Sequence, residues 1–249
     1  MYSSDDEGRK KVEERLKETQ KVFGYVFDSY SLLNIYKLFT DKIIRKFEFP
    51  IASGKESLVF ASSLGNRFYA VKIYKTVAST FKNIERYGGQ RWGIQNTKNK
   101  RKFISQWAYR EFRNLLTAYS SQVLTPRPEK VIGNVLVMQY LGTKRRPAPV
   151  LKDFPVNDKL VSDVFGSMRL LYRKAKLVHG DLSEYNFLVY RGKPYMIDLA
   201  QAVSSKDTMA LPLLRRDINN MIKFFNRSGY PFDEDKILGF VMGELDDFS

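Results

Sequence analysis

Apolar and polar positions follow two different periods along this chain, and the change of period divides the sequence. Residues 9–47 repeat apolar side chains every three or four positions, which predicts helices. Asp28 and Ser29 lie between two of these runs and predict a cap for the second helix. Pro50 is expected to close the region. We therefore predict a short N-terminal helical extension over residues 1–50.

Strand-like runs begin just after this point and favour two hairpins. Residues 58–61 and 68–74 are rich in β-branched and aromatic side chains, and residues 63–66, which lie between them, form a good turn sequence. A second pair of strands is predicted on either side of Gly133 and Asn134. The first half of the chain is therefore expected to contain an antiparallel sheet.

A helical segment separates the two hairpins, and a more helical half follows them. The segment begins at about Phe103, and Pro126 and Pro128 end it. A linker at 144–149, containing Pro and Arg, leads into the second half. Strands first and helices second predict a mixed, two-lobed α+β protein. The predicted apolar face of the helix consists of Trp107, Phe112, Leu115, Leu116 and Tyr119.

Composition narrows the classes of protein that this chain can be. It has 249 residues, of which 43% are hydrophobic, and this suits one two-lobed domain with a core. With no Cys and one His, disulfides, thiol catalysis and His-rich zinc sites are excluded, which leaves carboxylate-held Mg²⁺ or Mn²⁺. No apolar run approaches the roughly 18 residues of a membrane span, and the first residues are unlike a secretory signal. We expect a soluble, cytoplasmic protein without membrane contact.

Charge points to a polyanionic partner. The formal net charge is +15, and residues 82–113 carry nine basic side chains against two acidic ones. Aromatic residues are interleaved with these charges, a mixture that suits base stacking as well as core packing. Nucleic acid, phosphate and an anionic membrane surface are all compatible with this charge, and a solvated basic face is the alternative.

The residues best suited to chemistry lie around a third predicted hairpin. A strand at 187–190 and a strand at 195–198 flank a turn at Gly192, so Asn186 and Asp198 should emerge at the same edge. An amide oxygen and a carboxylate at one edge can share a hard cation. Asp181 would lie on the approach loop as a base. The alternative is an ordinary strand end, capped by Asp and Asn.

The spacing of these residues resembles a known catalytic loop. His179-x-Asp181-x-x-x-x-Asn186 matches the loop of the protein-kinase-like superfamily, in which Asp198 would open the next motif as a metal-binding residue. The resemblance also implies a strand Lys and a helix Glu that pair to hold ATP phosphates, and Lys72 and Glu111 fit these positions. Pairing across the first hairpin would place Lys72 roughly opposite residues 57–58.

Departures from the usual kinase pattern select one family. A Ser-Gly-Lys-Glu loop replaces the Gly-rich loop, Gly180 replaces the usual Arg, and no Ala-Pro-Glu follows Asp198. Together with His-Gly-Asp-Leu-Ser-Glu-Tyr-Asn and a later Arg-Arg-Asp, the chain resembles the RIO atypical serine/threonine protein kinases of the first subfamily over residues 22–225. That subfamily usually has Gly where this chain has Ala200, and Ala limits backbone freedom after the metal-binding Asp.

The resemblance implies a fold and its division along the chain. The fold is a two-lobed protein-kinase-like α+β fold, with an antiparallel sheet and a helix in the N-lobe and a trimmed, helical C-lobe that lacks the peptide-binding helices. The divisions are an N-terminal helical extension at 1–50, an N-lobe at 51–142 with a flexible basic insertion at 76–105, and a C-lobe at 143–249.

It also implies a role for each site residue. Lys72 contacts the ATP phosphates and is oriented by Glu111. Asn186 and Asp198 hold Mg²⁺, with Mn²⁺ as an alternative, and Asp181 is the expected general base. Asp198 is also the expected aspartyl-phosphate acceptor, which implies ATPase behaviour. The phosphates are covered by Ser53, Gly54, Lys55, Glu56, Ser57 and Leu58, and the adenine pocket is formed by Met138, Gln139 and Leu141.

The resemblance further implies a role in late maturation of the small ribosomal subunit, with ribosomal RNA as a partner and a monomeric or weakly self-associating chain. Two other hypotheses remain open at this point. One is a small-molecule phosphotransferase of the aminoglycoside or choline kinase type, which shares His-Gly-Asp-Leu. The other is a nucleotide-bound, RNA-binding assembly scaffold without turnover.

Overall fold

A five-stranded antiparallel sheet forms the first half of the described chain, in the spatial order β1-β2-β3-β5-β4. The structure is a computed structural model that describes residues 27–76 and 99–248. Both predicted hairpins are present, each closed by a two-residue turn. The strands are β1 (Lys46–Ser53), β2 (Ser57–Leu64), β3 (Arg67–Tyr74), β4 (Pro128–Ile132) and β5 (Val135–Gln139).

The central strand β3 directs alternate side chains to opposite faces of the sheet, as strand geometry requires. Val71 and Ile73 pack into a cluster on one face, whereas Ala70 belongs to the large core cluster on the other face. Lys72 has the parity of Ala70. It pairs with Val59 of β2, one residue away from the predicted register opposite residues 57–58.

The helix α1 (Ser29–Thr40) covers the outer face of this sheet. The Asp28 carboxylate accepts a hydrogen bond from the Ser31 amide at 2.9 Å, which confirms the predicted cap. The helical region ends earlier than predicted, because β1 begins at Lys46 and Pro50 lies within that strand. Pro50 is tolerated there because β1 is an edge strand.

The helix α2 (Lys100–Ser120) packs against the inner face of the N-lobe sheet. Asn99 caps it, so residues 100–105 of the predicted insertion are helical. Residues 77–98 of the insertion, including Trp92, and the helical pattern before residue 27 lie outside the described residues. The predicted apolar face is correct for Trp107 and Leu115, which are buried. It is wrong for Leu116 and Tyr119, which are exposed.

The second half is helical with short strand pairs, as predicted. In the described parts of the chain, no helix is both long enough and apolar enough to cross a membrane. The α-helices and strands of the second half are α3 (Asp158–Arg173), β6 (Leu177–Val178), β7 (Phe187–Tyr190), β8 (Lys193–Met196), β9 (Val203–Ser204), α4 (Ala210–Asn226) and α5 (Glu234–Met242).

A buried polar network fixes α1 to the β4–β5 turn. The side chain of Asn134 is fully buried; it accepts from Asn34 Nδ2 at 2.9 Å and donates to Ser31 Oγ and to the Tyr74 carbonyl, both at 2.7 Å. Because each polar group in this network has a partner, its burial is tolerated and specifies one docking position for the helix. A Cβ on Gly133 would lie 2.2 Å from Asn34 Nδ2, so the turn must be glycine for α1 to approach.

We expect Gly133→Ala to destabilise the protein more than Gly65→Ala. Both glycines begin a two-residue Gly-Asn turn with positive φ, so each substitution should cost about 1–2 kcal/mol in backbone strain. Only Gly133 has neighbours within 4 Å of the added Cβ, and overpacking should add about 1–3 kcal/mol. Urea denaturation of both variants measures the difference. Equal losses would show that α1 does not depend on this contact.

Candidate functional site

The site is organised around one buried ammonium. Lys72 Nζ on β3 lies 3.0 Å from both carboxylate oxygens of Glu111 on α2. It also forms an ion pair with Asp198, which follows β8. Lys72 and Glu111 are 6% and 1% exposed, so their charges are removed from water almost completely. The structure thus brings together three predicted site residues from distant parts of the sequence.

Burial and charge act against each other in this cluster. Burial raises the pKa of Glu111 to about 7, and the nearby Lys72 ammonium opposes this only in part. The Asp198 side chain is 48% exposed, and the desolvation of this carboxylate is outweighed by the charge of Lys72, which holds its pKa below its usual range. Burial disfavours the Lys72 ammonium, yet Asp198 and Glu111 together raise its pKa. Lys72 and Asp198 are therefore both charged at neutral pH.

The third hairpin places Asn186 beside Asp198, as the sequence predicted. Phe187 pairs with Met196, and the Ile197 amide donates to the Asn186 carbonyl at 2.9 Å. The Asn186 side-chain oxygen accepts from Ser183 Oγ at 2.8 Å, which fixes its orientation. Asp198 has a left-handed backbone with φ 65°, which turns the chain at the end of this hairpin.

The loop before Asn186 is held by a buried carboxylate. The two oxygens of Asp217 on α4 accept from the Gly180 amide at 2.7 Å and from the Leu182 amide at 2.9 Å. Gly180 has φ +80°, a conformation that side chains rarely adopt, which explains why Arg is absent there. His179 braces the loop: its Nε2 donates to the Ile197 carbonyl at 3.0 Å.

Asp181 projects from this loop and is exposed. Gln201 Nε2 donates to one of its oxygens at 3.2 Å, and the Arg216 guanidinium lies 3.7 Å from the other. Arg216 also donates to the Gly180 carbonyl. The contacts of Gln201 and Arg216 with Asp181 were not predicted from the sequence. The Arg-Arg-Asp string was a signal for Arg216, since its third residue is the Asp217 brace.

The predicted phosphate loop connects β1 to β2. The Gly54 amide donates to the Ser57 carbonyl at 2.9 Å, and Lys75 Nζ donates to the Gly54 carbonyl at 2.7 Å. Burial raises the pKa of Glu56, opposed by Lys72 and reinforced by Asp198 and Asp181. These electrostatic interactions place Glu56 near the charged cluster. Ser53 is the last residue of β1, Lys55 lies in the connecting loop, and Leu58 is in β2.

The predicted adenine-binding residues follow one another at the end of β5. Met138 is buried and pairs with Ala70. Gln139 ends the strand, and its side-chain oxygen accepts from the Arg127 amide at 3.3 Å. The Leu141 carbonyl accepts from the Ala148 amide at 2.9 Å, so the group that Leu141 can offer to a ligand is its own amide.

The segment after Asp198 explains the tolerance of Ala200. Residues 199–201 form a short 3-10 helix, and the positive φ belongs to Asp198, not to Ala200. The Ala200 side chain is 6% exposed and belongs to the cluster formed by Trp107 and its neighbours on α2. Ala at this position therefore does not restrict the turn, and its methyl group contributes to packing.

The oxygen atoms of Asn186 and Asp198 suit a hard cation that is bound by the protein and by phosphate together. Among the described residues, no three His, Cys, Asp or Glu side chains are grouped to hold a metal by themselves. One carboxylate, Asp198, and one amide oxygen, Asn186, are instead supplied at the same edge of the hairpin, because the Asn186 backbone is bonded to Ile197, the residue before Asp198. Mg²⁺ is commonly bound in this way, by one or two protein oxygens with substrate phosphates and water.

Comparison with known proteins agrees with this geometry. The RIO domain family matches residues 58–237. The chain is 34% identical over 250 residues to the RIO-type serine/threonine-protein kinase Rio1 of Methanocaldococcus jannaschii, covering 98% of this chain and 86% of that protein. It is 40% identical to Rio1 of Thermoplasma acidophilum, covering 74% and 98%. For serine/threonine-protein kinase RIO1 of Caenorhabditis elegans the identity is 37%, over 92% of this chain but only 46% of that protein.

Solved structures confirm the predicted two-lobed kinase-like α+β fold. The Rio2 kinase of Chaetomium thermophilum superimposes with a TM-score of 0.65 at 21% identity, over 81% of this chain and 63% of that one. A second structure of that kinase, an ADP/Mg²⁺-phosphoaspartate complex, gives a TM-score of 0.62 at 20% identity, over 81% and 62%. The domain match and the Rio1 relatives show that the chain belongs to the RIO family of serine/threonine-protein kinases.

Proposed function

We propose that this chain is an ATP- and Mg²⁺-dependent kinase and ATPase that transfers the γ-phosphate of ATP. The observation that carries the proposal is the buried Lys72 ammonium shared between Glu111 and Asp198. A buried Lys held by two carboxylates has little structural benefit over apolar packing, because desolvation of the charges is costly. Such a cluster is instead well suited to receive phosphate oxygens at a prepared positive charge.

The remaining residues would surround the nucleotide. Lys72 would contact the phosphates while Glu111 holds its ammonium in place. Backbone and side chains of residues 53–58 would cover the phosphates. Met138 would line the back of the adenine pocket, and the Gln139 carbonyl and Leu141 amide would bind the adenine edge. The register of β3 and β5 supports this arrangement, because it places Met138 beside the strand that carries Lys72.

Asn186 and Asp198 would hold the Mg²⁺ ion with phosphate oxygens. When bound, this ion would neutralise charge that develops on the transferred phosphoryl group. The orientation of Asn186 is already set by Ser183, and that of the Asp198 backbone by its left-handed turn. Asp198 would exchange its ion pair with Lys72 for the metal as the nucleotide enters.

We propose that Asp198 is also the phosphoryl acceptor. One of its carboxylate oxygens would bond to the γ-phosphorus while the bond to the bridging β,γ-oxygen breaks, so that ADP leaves and an acyl phosphate forms. Water would then cleave the acyl phosphate to inorganic phosphate and restore the carboxylate. Asp181 would accept the proton of that water, or of a substrate hydroxyl, as general base. Its exposed position between Gln201 and Arg216 supports this role.

Labelling with γ-³²P-ATP and Mg²⁺ tests the acceptor. We expect a protein-bound label that hydroxylamine removes, because acyl phosphates are cleaved by this nucleophile and phosphoserine is not. Asp198→Asn should abolish the label, since the amide is neither a nucleophile nor a full metal ligand. The matched control is Asp246→Asn, which changes an exposed carboxylate near the end of the chain and should leave the label intact.

Three other outcomes have distinct meanings. A hydroxylamine-stable label would contradict an aspartyl phosphate but retain a protein kinase. ATP consumption only in the presence of an aminoglycoside or choline would favour a small-molecule phosphotransferase. Tight nucleotide binding without label or turnover would favour a scaffold.

The catalytic loop should depend on Asp217. Asp217→Asn leaves one backbone amide of the loop without an acceptor, because the amide NH₂ cannot accept a hydrogen bond. We expect kcat to fall by about a hundredfold through displacement of the loop. The KM for ATP should change little, since Lys72 and the adenine pocket lie elsewhere. Steady-state kinetics measures kcat and the KM for ATP separately, with Asp163→Asn as the control. An unchanged kcat would show that the catalytic loop does not depend on Asp217.

We further propose a partner and a location. The charge of +15 and the basic residues around the start of α2 support docking to ribosomal RNA on a precursor of the small ribosomal subunit in the cytoplasm. Lys100 and Lys102 are exposed at this helix start. Self-association is not required by any of these contacts, and a monomer suffices.

Sedimentation with small ribosomal subunits tests the docking. Lys100→Gln with Lys102→Gln should weaken co-sedimentation and flatten its dependence on salt, because each phosphate contact releases counterions. The control is Lys174→Gln with Lys223→Gln, two exposed lysines of the C-lobe with the same change in net charge. Equal weakening by both pairs, or binding that does not respond to salt, would contradict phosphate contacts at the start of α2.

A further inference from the structure

The helix α2 holds the segment after Asp198 by a second set of contacts, separate from the buried ion pair. Arg110 Nε donates to the Ala200 carbonyl at 2.9 Å, and a terminal nitrogen of the same guanidinium donates to the Ala202 carbonyl. Asn114 Nδ2 donates to the Leu199 carbonyl at 2.8 Å. Two side chains of one helix thus bind three carbonyls within four residues.

These donors lie on either side of Glu111 along the helix. Arg110 precedes it, and Asn114 lies four residues after Arg110 and three after Glu111, so Asn114 neighbours both side chains on the helix surface. The Ala200 methyl group belongs to the same buried cluster as Trp107 and Ala108 of α2. The position of α2 and the conformation of residues 199–202 are therefore fixed together.

We infer that Arg110 and Asn114 are positioning residues that hold the Asp198 carboxylate where it can bind metal. The inference rests on the proposed function, in which Asp198 leaves Lys72 when the nucleotide enters. The ion pair between them cannot hold Asp198 after that exchange. The bonds from Arg110 and Asn114 end on backbone carbonyls, which the exchange does not consume, so they persist throughout turnover.

The backbone of Asp198 gives these contacts a specific task. Its φ of 65° is uncommon for a residue with a side chain, and such a conformation persists only where neighbouring contacts determine it. The hairpin β7–β8 fixes the chain before Asp198, through the bond from the Ile197 amide to Asn186. Arg110 and Asn114 fix the chain after it. Loss of the second anchor should release the turn without disturbing the first.

The experiment compares Arg110→Lys with Arg113→Lys. Both changes keep the positive charge on α2, but Lys cannot donate to two carbonyls from one rigid fork. Arg113 is exposed and lies three residues further along the helix. Asn114→Asp is the second test variant, because it keeps the shape and replaces the donor by an acceptor. The readouts are the Mg²⁺ concentration for half-maximal ATP turnover, the affinity for Mg²⁺-free ADP, and amide hydrogen exchange of residues 198–203 in the nucleotide-free protein.

We expect Arg110→Lys and Asn114→Asp to raise the half-maximal Mg²⁺ concentration by about tenfold or more. Exchange of residues 198–203 should accelerate, while ADP affinity without Mg²⁺ and the unfolding midpoint stay close to wild type. Arg113→Lys should match wild type in every readout.

Three results would overturn the inference. In the first, Arg110→Lys behaves like Arg113→Lys. In the second, ADP affinity falls as much as the Mg²⁺ response, which indicates general damage to the site. In the third, exchange of residues 198–203 is unchanged in both test variants. If wild type itself shows no Mg²⁺-dependent turnover, the proposed function fails, and hydrogen exchange alone still decides whether the anchor exists.

Discussion

The buried ammonium of Lys72 is the interaction on which this structure most depends. Lys72 lies on a strand, and its two partners lie on a helix and in a loop that are far away in sequence, so the ion pairs form only when both halves of the chain have folded. Removing Lys72 would leave the buried Glu111 carboxylate without its cation, a change that typically costs about 3–5 kcal/mol. The ion pairs therefore require α2 to pack correctly against the sheet and against residues 199–201.

The loop at residues 179–186 is also held by a buried charged group, here the Asp217 carboxylate, and its partners are backbone amides in place of an ammonium. Asp217 is buried, and two loop amides satisfy its two oxygens, as a carboxylate removed from water requires. Their convergence on one carboxylate needs the left-handed turn at Gly180. Gly180, which stands where kinases usually have Arg, thus allows both amides to reach Asp217. Arg216, the neighbour of Asp217 on α4, supplies a guanidinium beside Asp181.

Much of this arrangement could be predicted from the sequence because it follows from short-range rules. The turn at Gly192 fixes the hairpin, and the hairpin places Asn186 beside Asp198. The pairing of Lys72 with Glu111 needed the family resemblance, because 39 residues separate them and no periodicity connects them. Local signals failed where packing between distant segments decided the structure. Pro50 was expected to close the helical region, but it lies within the edge strand β1.

The contacts of Arg110 and Asn114 could not be predicted, for a physical reason. Their acceptors are main-chain carbonyls, which every residue possesses, so the sequence carries no complementary signal. An Arg and an Asn on a charged helix are typical of a solvated face. Arg110 and Asn114 have protein partners because the 3-10 helix after Asp198 lies against α2. The Ala200 substitution was similarly ambiguous, since its effect depends on which residue of the turn has positive φ.

The helix α1 region is hydrogen-bonded to two parts of the chain that lie before and after residues 77–98 in the sequence. Asp28 accepts from Thr76 Oγ1 at 2.8 Å, and Tyr30 is hydrogen-bonded to Ser105 at 2.6 Å. The helix α1 and its cap residue therefore contact both the end of β3 and the helix α2. These are the elements that carry Lys72 and Glu111. Because the α1 region contacts both, it fixes the position of β3 relative to α2 and so supports the ion pair between Lys72 and Glu111.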